Sequence, residues 1–167
     1  NDSLAKVVEN NQNYFLGSAA LPMQDPVAAC KEAERAAKEL GFSAISTGTD
    51  FPFSLDDPIL DDFYKTLVEL DIPLFLHPAS TGGAKGPDDA RLERFDLSIL
   101  LGYAYEETLA VATLILGGVT QRHPKLDICI SHGGGAIALL WEKFELLCKF
   151  REWAPDHVKK NGFRSEL

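Results

Sequence analysis

Short apolar runs alternate along the chain with longer segments whose apolar residues recur at helical spacing. A short apolar run bounded by turn residues predicts a buried strand, and helical spacing predicts an amphipathic helix. The strands are predicted at 14–21, 42–46, 74–77 and 126–132. The helices are predicted as a tail at about 3–10, one beginning at Asp25-Pro26, one beginning at Asp57-Pro58, one over 97–116 and one that starts near Ile137 and ends near Pro155.

Capping residues support two of these helices. Asp25 and Asp57 are each followed by proline, the pattern of an N-cap residue before the first helical position. Gly41 is the expected end of the first of these helices, and Gly102 is a candidate break in the segment 97–116. The inner face of the first helix is predicted as Ala29, Ala33, Ala36, Ala37 and Leu40, and that of the second as Leu60, Phe63, Leu67 and Leu70.

The repeated order of strand and helix predicts right-handed βαβ units and a parallel sheet. The strands are apolar throughout, which is typical of strands covered on both faces. Four such units fit either half of a (β/α)₈ barrel or a small doubly wound sheet. The 167 residues are enough for a single domain with its own core. The sequence begins without methionine and stops at Leu167 without a closing element, so we expect an internal piece of a longer protein.

Two predicted strands end on a histidine. His77 closes Leu74-Phe75-Leu76, and His132 closes the run that starts at Leu126. Ligands of α/β folds collect at the carboxyl ends of the strands, so we expect the two imidazoles to lie side by side there. One imidazole could bind zinc and the other could move protons. A single histidine at a strand end is more often a hydrogen-bonded structural residue, and it is the presence of two that favours a site.

The remaining polar candidates are weaker. His123 lies in a polar turn expected at the opposite end of the sheet, and His157 lies near the C-terminus, so both are predicted to be surface residues. Asp50 follows the second strand and could face a substrate or support a metal ligand, whereas aspartates in this position more often cap a turn. The polar, glycine-bearing stretch Ala79–Phe95 is predicted to be a loop that covers the site and shapes specificity.

Three glycines, Gly133 to Gly135, follow His132. A His-Gly-Gly-Gly string can form the oxyanion hole of a lipase or esterase, but those enzymes also need Gly-x-Ser-x-Gly, which this sequence lacks. A phosphate cradle at a helix N-terminus is a milder reading. Because no other phosphate-binding glycine motif occurs, we favour lack of room for side chains beside the site, with Gly133 a candidate neighbour of the substrate.

Composition excludes several classes of partner. The net charge of −9 argues against nucleic acid and against an anionic membrane surface. No run approaches eighteen uninterrupted apolar residues. The three cysteines are odd in number, widely spaced and set in apolar patterns, which predicts buried thiols in a reducing compartment and hence the cytoplasm.

An ordered set of motifs spans nearly the whole chain. It comprises the run from Phe15 to Pro22, Asp25-Pro26, Leu40-Gly41-Phe42, Leu55-Asp56-Asp57-Pro58, Leu76-His77-Pro78, Gly117-Gly118-Val119, Arg122-His123-Pro124-Lys125-Leu126 and Ser131-His132-Gly133-Gly134-Gly135. This set resembles the amidohydrolase-related metal-dependent decarboxylases, the relatives of aminocarboxymuconate semialdehyde decarboxylase and of the resorcylate decarboxylases. The resemblance implies a distorted (β/α)₈ TIM barrel of the metal-dependent hydrolase type, of which this chain is about half, strands three to six.

The resemblance also implies site roles. His77 matches the histidine that binds a divalent metal, usually zinc, and His132 matches the acid/base histidine. The family's His-x-His pair and its last metal-binding aspartate are absent from this sequence, so the remaining ligands are expected outside it. The 167 residues alone are therefore expected to be inactive, with exposed sheet edges.

Three functions follow for the parent protein. The first is non-oxidative decarboxylation of a small aromatic or unsaturated carboxylic acid. The second is metal-dependent hydrolysis of a lactone, ester or amide, and the third is metal-free binding on a retained scaffold. The resemblance favours a homodimer or larger assembly.

Overall fold

The computed structural model describes residues 1–50, 52–78 and 90–166. Its strands are β1 (Ser18–Ala19), β2 (Ala44–Gly48), β3 (Leu74–His77) and β4 (Ile128–Ile130). Its α-helices are α1 (Asp2–Glu9), α2 (Pro26–Lys38), α3 (Asp61–Leu70), α4 (Tyr103–Leu116), α5 (Val119–Arg122), α6 (Ile137–Phe150) and α7 (Asp156–Asn161). The residues 79–89, which contain most of the predicted loop, lie outside the described part.

The four strands form one sheet in the order β1-β2-β3-β4. β1 and β2 pair in parallel. The amide of Ile45 donates to the carbonyl of Pro73 at 3.0 Å, and that of Leu74 donates to Asp127 at 2.9 Å. Each strand is thus beside the next one in the sequence. This order is that of a barrel wall, because a doubly wound sheet reverses its strand order at a switch point.

The chain divides into two compact units. The first comprises Asn1–Thr47, Pro58–Leu76 and Lys125–Cys129, and the second comprises Gly48–Asp57, His77–Pro124 and Ile130–Leu167. Both strand-end histidines therefore belong to the second unit.

In the first unit, α2 and α3 pack against each other. The side chain of Asp25 accepts hydrogen bonds of 3.1 Å from the amides of Val27 and Ala28, which confirms the predicted N-cap. The buried residues of α2 are all alanines, and those of α3 are larger: Ala29, Ala33 and Ala36 in α2, with Phe63, Tyr64 and Leu67 in α3. Small side chains on one helix leave room for large ones on the other.

The second unit has its own apolar core between α4, α6, α7 and the residues after α7. Its buried members are Val111, Ile115, Ile137, Cys148, Ala154, Val158 and Phe163. The rings of Phe144 and Phe163 stack with their centroids 4.7 Å apart. Burial, and then the charge of Glu145, raise the pKa of the Cys148 thiol.

The helical segment Ser98–Leu116 contains the predicted change at Gly102. Residues Ser98–Gly102 form a π-helical turn, and the regular helix α4 begins at Tyr103. The segment is long and apolar enough to cross a membrane by length and composition alone. The core helix of a globular protein passes the same test, and Glu107 in its middle is fully buried within this unit.

Two predicted strands are shorter than expected. The predicted strand 14–21 is reduced to Ser18–Ala19, and Tyr14 and Leu16 are each 83% exposed. The amide of Tyr14 instead donates to the carbonyl of Asn11 at 2.9 Å, in a turn that follows α1. The last strand ends at Ile130, because Ser131–Gly134 turn into a 3-10 helix.

Burial along β3 alternates, so the prediction of strands covered on both faces is wrong for this strand. Leu74 and Leu76 are fully buried, whereas Phe75 is 41% exposed and His77 is also exposed. The pleat of a strand directs successive side chains to opposite faces, and the described residues cover one of those faces.

Several helix boundaries also differ from the predictions. Asp57 does not cap an α-helix, because a 3-10 turn at Pro58–Leu60 precedes α3. The last predicted helix ends at Phe150, and the chain forms a further helix, α7, after Pro155. The turn between them is closed by a hydrogen bond of 3.2 Å from the amide of Ala154 to the carbonyl of Arg151.

The burial of two histidines and two cysteines differs from the predictions. His157 lies in α7, half-buried, with Nε2 3.0 Å from the carbonyl oxygen of Ile115, so it is not a free surface residue. His123 is half-buried after α5. Cys30 is half-buried and Cys129 is exposed, so the prediction of buried thiols holds for Cys148 only. Side chains on β4 alternate in exposure, which explains Cys129.

Candidate active site

The structure brings together the two strand-end histidines. His77 is the last residue of β3, and His132 lies two residues beyond the end of β4. Their ring centroids are 5.4 Å apart, with the ring planes inclined at 61°. Tyr103, at the start of α4, has its ring centroid 6.1 Å from each imidazole. The three rings form a nearly equilateral group within the second unit.

The hydrogen bonding of His77 suits a metal ligand. Its Nδ1 lies 3.0 Å from the carbonyl oxygen of Pro78. Because a carbonyl oxygen can only accept, Nδ1 carries the proton and Nε2 keeps a lone pair. A backbone carbonyl that fixes the tautomer in this way is common behind metal-binding histidines.

His77 does not complete a metal site with the rest of the described chain. Across residues 1–50, 52–78 and 90–166, no group of three or more His, Cys, Asp or Glu side chains is placed to hold a metal ion. Stable protein sites for zinc use three or four protein ligands. The described residues would therefore supply one ligand to a metal, the imidazole of His77.

His132 sits in a tight turn with unusual backbone angles. Its φ and ψ are 46° and 33°, in the left-handed region, and all three following glycines also have positive φ. A Cβ atom on Gly135 would lie 2.7 Å from Oγ1 of Thr108 and still closer to the carbonyl oxygen of Ala104. The expected lack of room therefore explains Gly135. Gly133 has open space around it, so there only the backbone angle favours glycine.

Glu107 was not among the site residues that the sequence predicted. Its Oε1 lies 2.8 Å from Nδ1 of His132, and the whole residue is buried. Its Oε2 is also buried and has no hydrogen-bond partner among the described residues. A signal was available, because an acidic residue in the middle of a strongly apolar helix needs a polar partner once that helix is buried.

Asp50 does not join the imidazoles. It is exposed and lines a cavity of about 260 Å³ together with Glu106 and eight other residues of the same unit. Burial, and then the charge of Asp50, raise the pKa of Glu106. Thr49, the neighbour of Asp50, donates from its amide to the His77 carbonyl at 3.0 Å.

A larger apolar groove of about 710 Å³ lies elsewhere in the second unit, beside Tyr105, Leu109, Leu140 and Trp153. Neither His77 nor His132 lines this groove or the cavity at Asp50. Within the described part of the chain, we take the two imidazoles as the candidate site, because their rings lie 5.4 Å apart at the strand ends.

The fold and the paired imidazoles define the chain as part of an α/β barrel with a histidine site at the strand ends. The amidohydrolase family matches residues 1–166. The chain therefore belongs to the amidohydrolase family, and the fold and family that the sequence predicted are both confirmed.

Three named relatives share between 29% and 38% of their aligned residues with this chain. The 2-amino-3-carboxymuconate-6-semialdehyde decarboxylase of Dictyostelium discoideum is 36% identical over 138 residues, 82% of this chain and 37% of that protein. The gamma-resorcylate decarboxylase of a Polaromonas species is 38% identical over 153 residues, 82% of this chain and 44% of that protein. A 2-keto-4-carboxy-3-hexenedioate hydratase of a Sphingobium species is 29% identical over 153 residues, 86% of this chain and 42% of that protein.

Solved structures give the same result. The 2,6-dihydroxybenzoate decarboxylase from Rhizobium superposes with a TM-score of 0.79 at 27% identity, over 93% of this chain and 50% of that one. A dihydroxybenzoic acid decarboxylase from a Polaromonas species, with bound manganese and the inhibitor 2-nitroresorcinol, superposes with a TM-score of 0.74 at 27% identity, over 95% and 48%. This chain thus spans half or less of the length of these relatives.

Proposed function

We propose that the protein containing this chain is a metal-dependent, non-oxidative decarboxylase of a small aromatic or unsaturated carboxylic acid. The observation that carries the proposal is the 5.4 Å separation of the His77 and His132 rings at the strand ends of an amidohydrolase-family barrel. The named activities of the two relatives with the highest identities quoted above support the choice of reaction.

A divalent metal would supply positive charge that polarises a substrate oxygen. His77 would contribute Nε2 as one ligand, with Nδ1–H anchored on the Pro78 carbonyl. The remaining ligands would come from outside the described residues. Manganese in a related structure supports a divalent ion, and zinc is our proposal for this protein because imidazole and carboxylate ligands suit it.

His132 would provide the proton. Its Nδ1 is held by Glu107, which leaves Nε2 as the nitrogen that exchanges a proton with the substrate. Decarboxylation breaks the bond between the ring or alkene carbon and the carboxylate carbon, and that electron pair stays on the ring or alkene carbon. Nε2, which carries no proton in this tautomer, would first take one from water, and that proton would then form the new C–H bond while the carboxylate leaves as CO₂.

A second reaction class has one specific observation in its favour. The family includes a relative named as a hydratase, which adds water to its substrate. The same Nε2 that delivers a proton to carbon could take one from water, so hydrolysis of a lactone, ester or amide is the alternative. The third alternative is a protein that binds a ligand without a metal and without catalysis. For each of these three functions we propose a homodimer or a larger assembly.

The test uses the full-length protein, with metal content measured before activity. Candidate acids, 2,6-dihydroxybenzoate first, are incubated with it and the released CO₂ is measured. Stoichiometric CO₂ with loss of the acid supports decarboxylation. Turnover of a lactone, ester or amide without CO₂ would replace it with hydrolysis. A protein without a divalent ion, after purification and after supply of zinc or manganese, would leave only the binding role.

A further inference from the structure

Glu107 occupies a costly position. The residue is fully buried, yet only one of its two carboxyl oxygens has a hydrogen-bond partner among the described residues. An unsatisfied buried polar group costs on the order of 1–3 kcal/mol of stability, and more if it is charged. An apolar side chain at this point of α4 would avoid that cost. Stability alone therefore gives no reason for a glutamate at position 107.

The same face of α4 holds the backbone of the His132 turn. Ala104, Glu107 and Thr108 are three and four residues apart, so they lie on one face of the helix. Oγ1 of Thr108 accepts a hydrogen bond of 2.8 Å from the amide of Ala136. Gly135 lies against Ala104 and Thr108 without room for a side chain. The backbone of the turn is thus fixed to α4. Glu107, on the same face of α4, contacts the imidazole of His132.

Without this contact the imidazole has little to hold it. The His132 side chain is 52% exposed. An exposed imidazole rotates among rotamers and exchanges between its two neutral tautomers, only one of which leaves Nε2 without a proton. Oε1 of Glu107, as a carboxylate oxygen 2.8 Å from Nδ1, can only accept, so it selects the tautomer with the proton on Nδ1.

We propose that Glu107 is the positioning residue for His132: by accepting a hydrogen bond from Nδ1–H it fixes the ring orientation and the tautomer that leaves Nε2 free for proton transfer. This inference rests on the proposed acid/base role of His132 and assigns a residue that supports it. Glu107 acts through His132 and does not itself touch the reacting atoms.

The experiment compares Glu107→Gln and Glu107→Leu with the unaltered full-length protein. The Gln side chain has the same shape but can present either an oxygen or an NH₂ group to Nδ1. Two quantities are measured: the tautomer of His132, from its ring ¹⁵N NMR signals assigned with His132→Ala, and kcat and KM for the acid that is decarboxylated. Glu142→Gln, at an exposed site on α6, controls for loss of one negative charge.

We expect both Glu107 variants to raise the fraction of His132 with the proton on Nε2. We also expect kcat to fall about 10- to 100-fold, as for other residues that orient a functional histidine, with KM within about twofold. Glu142→Gln should leave tautomer and kcat unchanged.

A folded Glu107→Leu protein with unaltered ¹⁵N signals and unaltered kcat would overturn the inference, because leucine offers Nδ1–H no acceptor. If Glu107→Leu failed to fold, the same result in Glu107→Met, whose side chain has a similar length, would overturn it. A fall in kcat with an unchanged tautomer would also overturn it, because Glu107 would then act in some other way. The NMR measurement needs no substrate. It therefore decides the positioning role separately from the proposed reaction, which fails on its own if no acid releases CO₂.

Discussion

Thr108 and Ala136 are joined by a hydrogen bond that ties helix α4 to the turn carrying His132. The amide of Ala136 donates to Oγ1 of Thr108 at 2.8 Å, and the same hydroxyl donates to the carbonyl of Ala104 at 2.6 Å. Gly135 passes directly over this pair of bonds. The turn therefore packs against α4, and a methyl group added at Gly135 tests how close the two are.

Gly135→Ala should destabilise the protein by about 3 kcal/mol. The backbone angles of 66° and −120°, which are essentially confined to glycine, account for roughly 1–2 kcal/mol of this, and the forced separation from Ala104 and Thr108 accounts for the rest. Gly133→Ala is the comparison, because its φ of 65° and ψ of 24° are ordinary left-handed angles and nothing lies within 4 Å of the added methyl group. It should cost only about 1 kcal/mol. Urea unfolding measures both, and equal losses would contradict the packing explanation.

The two histidines should separate metal binding from turnover. In the full-length protein, His77→Ala should lose both the metal and the activity, because it removes a ligand. His132→Ala should keep the metal and lower turnover at least about 100-fold, the usual contribution of a positioned acid or base. Metal content by mass spectrometry and CO₂ release check the two outcomes. Full activity in His132→Ala would remove its acid/base role.

Replacing Asp50 should change the titration of Glu106. Burial is the larger cause of the raised pKa of Glu106 and the charge of Asp50 the smaller one, so Asp50→Asn should lower that pKa without returning it to its usual value. A raised carboxyl pKa means that stability is lost as pH rises from the usual carboxyl range through the pKa of the folded protein. The variant should therefore lose less stability between about pH 4.5 and neutral pH.

Carboxyl ¹³C NMR of Glu106 and urea unfolding across this range measure the two effects of Asp50→Asn. Asp62→Asn, at an exposed position of α3, is the control for removal of one carboxylate. An unchanged Glu106 titration in Asp50→Asn would show that the two carboxyls do not interact.

The first unit should weaken in acid through Glu32. Hydrogen bonds from Arg35 and then from the Asn1 side chain lower the pKa of Glu32 to about 2. A lowered pKa stabilises the fold above the usual carboxyl range, and that stability disappears as pH falls from about 4.5 to about 2. Glu32→Gln should flatten the pH dependence of urea unfolding in this window. Glu34→Gln, whose ion pair with Lys38 is 3.4 Å long and exposed, should change it much less.

The sequence predicted those parts of the fold that depend on local pattern. The N-cap at Asp25, the change of helix at Gly102 and the order of strands and helices all follow from side chains close together in the chain. The strand predicted at 14–21 is much shorter in the structure. Apolar residues such as Tyr14 and Phe15 favour a strand, but their amides donate to the Asn11 carbonyl in the turn after α1. The pairing with β2 is confined to Ser18 and Ala19 in the described structure.

The candidate site was predicted only in part. The closeness of His77 and His132 could be predicted, because both end a strand and parallel strands bring their carboxyl ends to one edge of the sheet. Glu107 could not be placed in the same way, since its partner is 25 residues away and lies in a turn whose direction depends on three glycines. Asp50 lies near Glu106, and its suggested role towards a substrate or a metal ligand stays a prediction.

The two imidazoles are carried by different supports. His77 is part of the sheet, hydrogen-bonded through Thr49 to the neighbouring strand. His132 has left the sheet, and its turn is fastened to α4 through Thr108, Gly135 and Glu107. A change that slides or tilts α4 would thus move one imidazole and leave the other in place. Substitutions on one face of α4 could therefore change the distance between the His77 and His132 rings without altering the strands.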